Sequence, residues 1–377
     1  MKKSEDFDLV YVTIDSLSEG VGSSQITPLI SRLSKSGLKI HLITYEKSTP
    51  RSELVDYFES IGVDWNWRPF GSNGLIGGVV RLNDMRKEIP NTNLIHARSD
   101  IPAVSAITSR QAPVLWDVRS LWADQKVMIQ ENLLNKTLYD IYRGLESIAA
   151  SRSVGMSTLT SAVIPILEQR HKRLPLLRTV VPTAVDLDNF KLNPKMPTKT
   201  QALFSGTYNE YYDLDLSRLF MEELRKHVAV ETHWARPKES SKSNIGVGEN
   251  KVFPSSQTAM AKYIPEYSFG VSICKMDAGP SLAGAMPTKI GEFLACGRPI
   301  VVNKGLGDMD RFIEEFNAGV ILDGSRINLL ESAAKLANLL SDSETPRRCR
   351  ALAEKYFSMD VGAGKYLDIY DRITTLG

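Results

Sequence analysis

Cysteine is scarce in this chain: three residues among 377, at positions 274, 296 and 349. An odd number in no metal-ligand spacing excludes a disulfide framework and a zinc ribbon. It fits packing roles in a reducing compartment. Charge is equally modest. A net +2 at pH 7 argues against nucleic acid as a partner, because a phosphate backbone demands a basic footprint. No apolar run approaches the ~20 residues that cross a bilayer. The opening residues Met1-Lys-Lys-Ser-Glu-Asp-Phe-Asp lack the apolar core of a signal peptide. The expected location is cytoplasmic, the cytoplasmic face of the inner membrane included. The G-x-G-x-x-G spacing of a dinucleotide site is also missing, as is any short-period repeat.

What is present is an alternation of strand and helix patterns, in a chain too long for one core to be the default. Residues 8–14 read as a buried strand, 25–34 as an amphipathic helix and 39–44 as the next strand. Between the first two lies a turn holding Gly20, Gly22 and Ser23. Either those glycines let a ligand approach the backbone, or the loop only turns tightly. Residues 75–87 suggest a helix weakened by Gly77-Gly78. Strands at 93–100 and 113–125 each run into a polar loop. This puts His96, Arg98, Asp117 and Arg119 at the carboxyl ends of strands, the ligand side of an open α/β sheet. Two arginines and a histidine there suit an anionic ligand, unless Asp117–Arg119 and Asp100–Arg98 are ion pairs that hold loops. Residues 170–178 are basic with apolar interleaving, which fits a solvated loop or contact with an anionic membrane surface. The proline-bearing, polar stretch 191–200 reads as a linker, and the alternation restarts after it. The expected architecture is α/β, two doubly wound domains facing a cleft, with boundaries 1–190 and 191–360.

The most informative stretch is 279–302. Pro287 suits the first position of a helix, and Ile290, Phe293 and Leu294 make one apolar face. Gly297 and Pro299 end the helix before the buried strand that starts at Ile300. A loop feeding this helix leaves amides around Thr288 and Lys289, a positive dipole end and an ammonium. That combination is a phosphate site.

These residues resemble bacterial glycosyltransferases of family four, which have the GT-B architecture of two Rossmann-like domains. The likeness rests on the Gly-Val-Gly-Ser-Ser-Gln loop at 20–25, His96-Ala-Arg-Ser99 and the segments 117–124 and 181–190. Its most specific part is Pro287-Thr-Lys-Ile-Gly-Glu-Phe-Leu-Ala-Cys-Gly-Arg-Pro299. The resemblance implies transfer of a sugar from a nucleotide-diphosphate sugar to the hydroxyl of a glycan, glycolipid or other acceptor, in the synthesis of a bacterial surface polysaccharide or glycoconjugate. It implies retention of anomeric configuration, no metal, and no cofactor beyond the donor as co-substrate. On this comparison Glu292 binds the nucleotide ribose, and Lys289 with Arg236 neutralises the diphosphate on the Thr288 and Lys289 amides after Pro287. Gly206 and Thr207 lie beside the donor, and Pro254 and Ser255 lie near the base. His96 and Arg98 face the donor sugar. The acceptor side holds Gly20, Gly22, Ser23, Asp117 and Arg119, and the last helix, 361–377, completes the first domain.

Three departures stand out. The family's first glutamate, separated from Glu292 by seven residues, is replaced by Gly284. The turn 205–212 lacks the usual arginine and lysine, and Arg98 stands where a histidine is usual. Gly284 motivates a second reading, a catalytically weak nucleotide-sugar-binding protein. A nucleotide-sugar epimerase shares the architecture but needs carboxylates and histidines where this chain carries arginines. Asp186/Asp188 and Asp213/Asp215 look like acidic metal motifs, yet their positions suit a linker turn and a helix cap.

Overall fold

The computed structural model describes residues 7–129, 133–206, 211–236, 249–252 and 256–376. The chain divides into two compact units, Met1–Val181 with Gly362–Gly377, and Pro182–Val361. The border therefore falls earlier than position 190. The reason is local: Val185 forms a parallel bridge with Ser358 and donates to the Phe357 carbonyl at 2.6 Å, which ties 182–190 into the second unit.

The first unit carries a seven-stranded sheet. Its strands are β1 (Phe7–Val12), β2 (Ile40–Glu46), β3 (Asp64–Pro69), β4 (Thr92–Arg98), β5 (Val114–Val118), β6 (Gly155–Thr158) and β7 (Leu177–Val180). They lie in the order β3-β2-β1-β4-β5-β6-β7, and every pairing is parallel. The second unit holds β8 (Gln201–Ser205), β9 (Glu231–Arg236), β10 (Glu249–Val252), β11 (Phe269–Ser272), β12 (Ile300–Asn303) and β13 (Gly319–Leu322). Their order is β10-β9-β8-β11-β12-β13. Parallel strands need crossover helices, which cover both faces and bury the central strands. All of β2, β5 and β12 is buried accordingly, whereas edge strand β3 is half exposed. The cores are packed around Trp116, Val10 and Ile95 in one unit and Phe204, Phe269 and Val301 in the other.

Both sheets start in the middle, wind outward and return to wind the other way. Each has a switch point, between β1 and β4 in the first and between β8 and β11 in the second, where the loops diverge and leave a crevice. The two switch points position the candidate groups.

Several local features differ from the sequence reading. The polar loops expected after β4 and β5 are mostly helix, Asp100–Ser109 and Trp122–Ile129. Ser99 makes the first of these turns alone, at φ 78°, and Pro102 is tolerated because it lies in the first helical turn. The helix expected from 25 is preceded by a π turn, Gly22–Ile26, before Thr27–Lys35. The Gly77-Gly78 pair does not break the helix Gly74–Glu88. A Cβ on Gly77 would lie 1.8 Å from the Ser72 carbonyl oxygen, so the close approach requires glycine.

The basic stretch at 170–178 is partly turned inward. Arg170 makes two hydrogen bonds to Asp124, at 2.6 and 2.8 Å, and the His171 ring lies 2.6 Å from the buried Glu146. The linker candidate is clamped by Arg298. This fully buried guanidinium donates to the carbonyls of Asn193, Lys195 and Pro265.

Candidate functional site

In the second unit the second helix after β11 is Thr288–Ala295. Pro287 is its N-cap, at φ −60° and ψ 129°, and not its first helical residue as the sequence suggested. As a cap it offers no side-chain oxygen to the first-turn amides. This helix end faces the turn that follows β8. There Gly206 sits at φ +103°, and the Lys289 ammonium is 3.6 Å from where a Cβ would project. Only glycine holds that backbone conformation without strain. Lys289 donates to the Ser205 carbonyl at 2.6 Å and lies over the Tyr212 ring, 4.3 Å from its centroid. The carbonyl and the aromatic face aim the ammonium at the β8 turn.

One turn further along the helix is Glu292, 8% exposed. Its carboxylate accepts no hydrogen bond from any described residue. Burial raises its pKa to about 7, and Lys289 offsets only part of that rise. The side chain is mostly buried, and its carboxylate is open to donors from a ligand. Gly284 caps the short helix Pro280–Ala283 at φ −86° and ψ −1°. Any residue adopts that conformation, so backbone geometry does not account for a glycine there. Lys275 and Asp277 are exposed in the loop after β11. Arg236 ends β9 opposite Val252. Its side chain lies outside the described residues, as do Thr207, Pro254 and Ser255.

The first switch point is built differently. Asp117 is fully buried at the centre of a cluster, where its Oδ1 accepts from Ser157 at 2.8 Å and from Tyr366 at 3.2 Å. Arg119 is 3.5 Å from Oδ1, Arg98 is 3.6 Å from Oδ2, and His96 Nε2 is 3.3 Å from Oδ2 without hydrogen-bond alignment. Burial alone would raise the pKa of Asp117. Arg119, His96 and Arg98 outweigh it and hold the carboxyl well below the usual range. His96 is itself wholly buried, with its Nδ1 2.5 Å from the Tyr370 hydroxyl and its ring packed against Tyr11 and Tyr366. Burial lowers its pKa, against the opposing pull of Asp117.

The cluster therefore balances two arginines against two carboxylates, Asp117 and Asp15, the latter 2.9 Å from Arg98 Nε. The expected surplus of positive charge for an anionic ligand is absent among the described residues. In place of the expected approach to a sugar, the structure shows His96 tying the last helix, Met359–Leu376, to the sheet.

The glycine turn is likewise occupied from within. A Cβ on Gly22 would lie 1.9 Å from the Ser16 carbonyl oxygen, so this glycine serves contact with its own chain. Gly20 has φ +54° with open space around it, and the Ser23 hydroxyl bonds the Gly20 carbonyl at 3.0 Å. Glu46, which sequence reasoning missed, anchors this loop. At the end of β2 it accepts from Ser16, from the Leu17 amide at 2.8 Å and from Ser18. An acid closing a strand that is buried along its whole length was its only signal. Tyr212 was missed for want of any periodic pattern. Asp213 and Asp186 act as the cap and turn expected of them: Asp213 accepts from the Leu216 amide and Asp186 from the Asp188 amide.

No family model matches the chain, and no curated protein matches it either. Its fold is nonetheless shared with many solved structures. Sucrose-phosphate synthase from Thermosynechococcus elongatus superposes with a TM-score of 0.72 at 11% identity, over 98% of this chain and 100% of that one. WaaG, a glycosyltransferase involved in lipopolysaccharide biosynthesis, gives 0.66 at 13% identity over 96% and 99%. Anabaena HepE in complex with UDP-glucose gives 0.65 at 10% over 98% and 100%. The chain thus has the α/β GT-B fold, two doubly wound Rossmann-like units. Proteins that share it include glycosyltransferases, at identities that establish the fold alone.

Proposed function

We propose that this chain is a glycosyltransferase of family four that moves a sugar from a nucleotide-diphosphate sugar to an acceptor hydroxyl. In this reading the reaction retains anomeric configuration, needs no metal, and serves assembly of a surface polysaccharide or other glycoconjugate. One observation carries the proposal: a buried carboxylate with no donor among the described residues, Glu292, stands one turn from a positioned ammonium, Lys289, at the switch point of the second sheet. A ribose supplies two hydroxyl donors to the first, and a diphosphate supplies the anion for the second. HepE is a protein of this fold solved with UDP-glucose, and WaaG acts in lipopolysaccharide synthesis, so donor class and pathway class are both represented among its structural neighbours.

The chemistry follows from charge. As the bond between the anomeric carbon and the phosphate oxygen breaks, negative charge accumulates on the departing diphosphate. Lys289, the first-turn amides and Arg236 are the groups that stabilise it. The acceptor oxygen bonds to the anomeric carbon on the face the diphosphate leaves, and its proton passes to the departing phosphate oxygen. The protein supplies no nucleophile in this scheme. Its contribution is fixed charge and orientation.

A second reading, a nucleotide-sugar binder with little turnover, is favoured by Gly284, since nothing in the backbone there requires glycine. One assay separates the two. A panel of nucleotide sugars is incubated with the protein, and release of nucleoside diphosphate is followed together with binding. Transfer or slow donor hydrolysis supports the enzyme. Binding without release supports the binder, and neither binding nor release contradicts both.

A further inference from the structure

The ammonium of Lys289 lies over an aromatic ring that is itself held in place. Tyr212 is half-buried and forms an antiparallel bridge with Cys274. On either side of that bridge the Lys275 amide donates to the Tyr211 carbonyl at 2.9 Å, and the Asp213 amide donates to the Ile273 carbonyl at 3.0 Å. The segment that follows the β8 turn is thereby laced onto the loop that follows β11. Asp213 then caps the helix Leu214–Leu224. The Tyr211 ring stands edge-on to Tyr212, with centroids 6.3 Å apart and planes at 88°, and its hydroxyl donates to the Ser281 carbonyl at 3.3 Å. Backbone and neighbouring ring thus fix Tyr212 before any ligand arrives, and a group ordered in advance costs nothing to order on binding.

Lys289 is 8% exposed, so its side chain has given up most of its water. The Ser205 carbonyl at 2.6 Å and the Tyr212 ring, 4.3 Å away at its centroid, offset that loss. An aromatic face attracts a cation through its quadrupole and carries no net charge. A carboxylate in the same place would hold the ammonium too, but would cancel the charge that an anion needs. We propose that Tyr212 is a positioning residue, whose ring fixes the Lys289 ammonium beside the β8 turn, without cancelling its charge, for the diphosphate of a nucleotide. The inference rests on the glycosyl-transfer reading and deepens it. A packing role alone would be met by leucine, whereas a charge–quadrupole role requires both the ring and the charge.

The test is a double-mutant cycle on the full chain, read by calorimetric titration of UDP, ADP and GDP with the matching nucleosides as controls. Tyr212→Phe keeps the ring and should bind the preferred diphosphate within about threefold of the wild type. Tyr212→Leu should bind it about tenfold more weakly. Lys289→Met keeps the apolar stem and removes the charge, and in that background Tyr212→Leu should cost less than about twofold. Nucleoside affinity should change less than about twofold throughout, because a nucleoside brings no phosphate to the ammonium. In donor turnover Tyr212→Leu should lower kcat about tenfold with KM changed far less, and Tyr212→Phe should restore it. Circular dichroism and the thermal midpoint check folding, and Tyr212→Met is the second ringless variant should Tyr212→Leu be unfolded. Four results overturn the inference while the glycosyl-transfer reading stands. They are wild-type diphosphate affinity in the ringless variant, an equal loss in Tyr212→Phe, the full loss again in the Lys289→Met background, and an equal loss of nucleoside affinity. Absence of binding of all three diphosphates to the wild type overturns that reading and the inference with it.

Discussion

The two switch points have the same topology and opposite chemistry. At the first, between β1 and β4, the charged groups saturate one another. Asp117 is surrounded by His96, Arg98, Arg119, Ser157 and Tyr366, and the cluster holds the last helix against the sheet. At the second, between β8 and β11, Glu292 is buried without a donor from any described residue and titrates near neutrality. Equivalent places in two copies of one architecture thus differ: one holds a saturated charge cluster, and the other is where the proposed function puts a ligand. A charge surrounded by partners contributes to stability, and a charge denied partners costs stability and binds.

Breaking the first cluster should give the largest effect. Asp117→Asn leaves Arg98 and Arg119 beside an uncharged amide and should destabilise the first unit by about 4 kcal/mol, read by denaturant unfolding, with affinity for UDP-glucose unchanged. The second site should respond in the opposite direction. Because the folded pKa of Glu292 is raised from 4.5 to about 7, its contribution to stability is complete below pH 4.5 and is lost as pH rises through 7. Glu292→Gln should therefore stabilise the second unit at pH 8 by roughly 3 kcal/mol. It should also remove the corresponding slope between pH 4.5 and 7, followed by hydrogen exchange in Thr288–Ala295.

Lys289→Ala sharpens the comparison kinetically. If the ammonium acts on charge that develops during transfer, kcat should fall about a hundredfold with KM changed far less. Equal losses in both would reduce Lys289 to a ground-state anchor. The smallest effect is expected from Tyr370→Phe. It removes the hydroxyl that meets His96 Nδ1 and should cost about 1 kcal/mol, visible as a lowered unfolding midpoint.

What the sequence revealed was local. The apolar run that follows Pro299, the amphipathic spacing of Ile290, Phe293 and Leu294, and the restart of the strand–helix alternation after position 200 are short-range patterns. The short-range patterns placed most strands and the fold. Partnerships between distant residues had no such signal. His96 and Tyr370 are 274 positions apart, and Glu46 reaches back to the loop at 16–18. Arg98 and Arg119 read as an anion site because residue type shows charge but not its neutralisation by Asp15 and Asp117. The helix from Asp100 was hidden because the turn into it depends on one serine in a left-handed conformation. The helix Met309–Phe316 gave no expectation at all, although its apolar residues follow helical spacing.

The contrast between the two switch points is tested most directly by titrating UDP-glucose calorimetrically into the wild-type chain, Glu292→Ala and Asp117→Asn under one set of conditions. The account predicts binding to the wild type, at least tenfold weaker binding to Glu292→Ala, and wild-type affinity in folded Asp117→Asn. Undiminished affinity in Glu292→Ala, or a loss confined to Asp117→Asn, would contradict it.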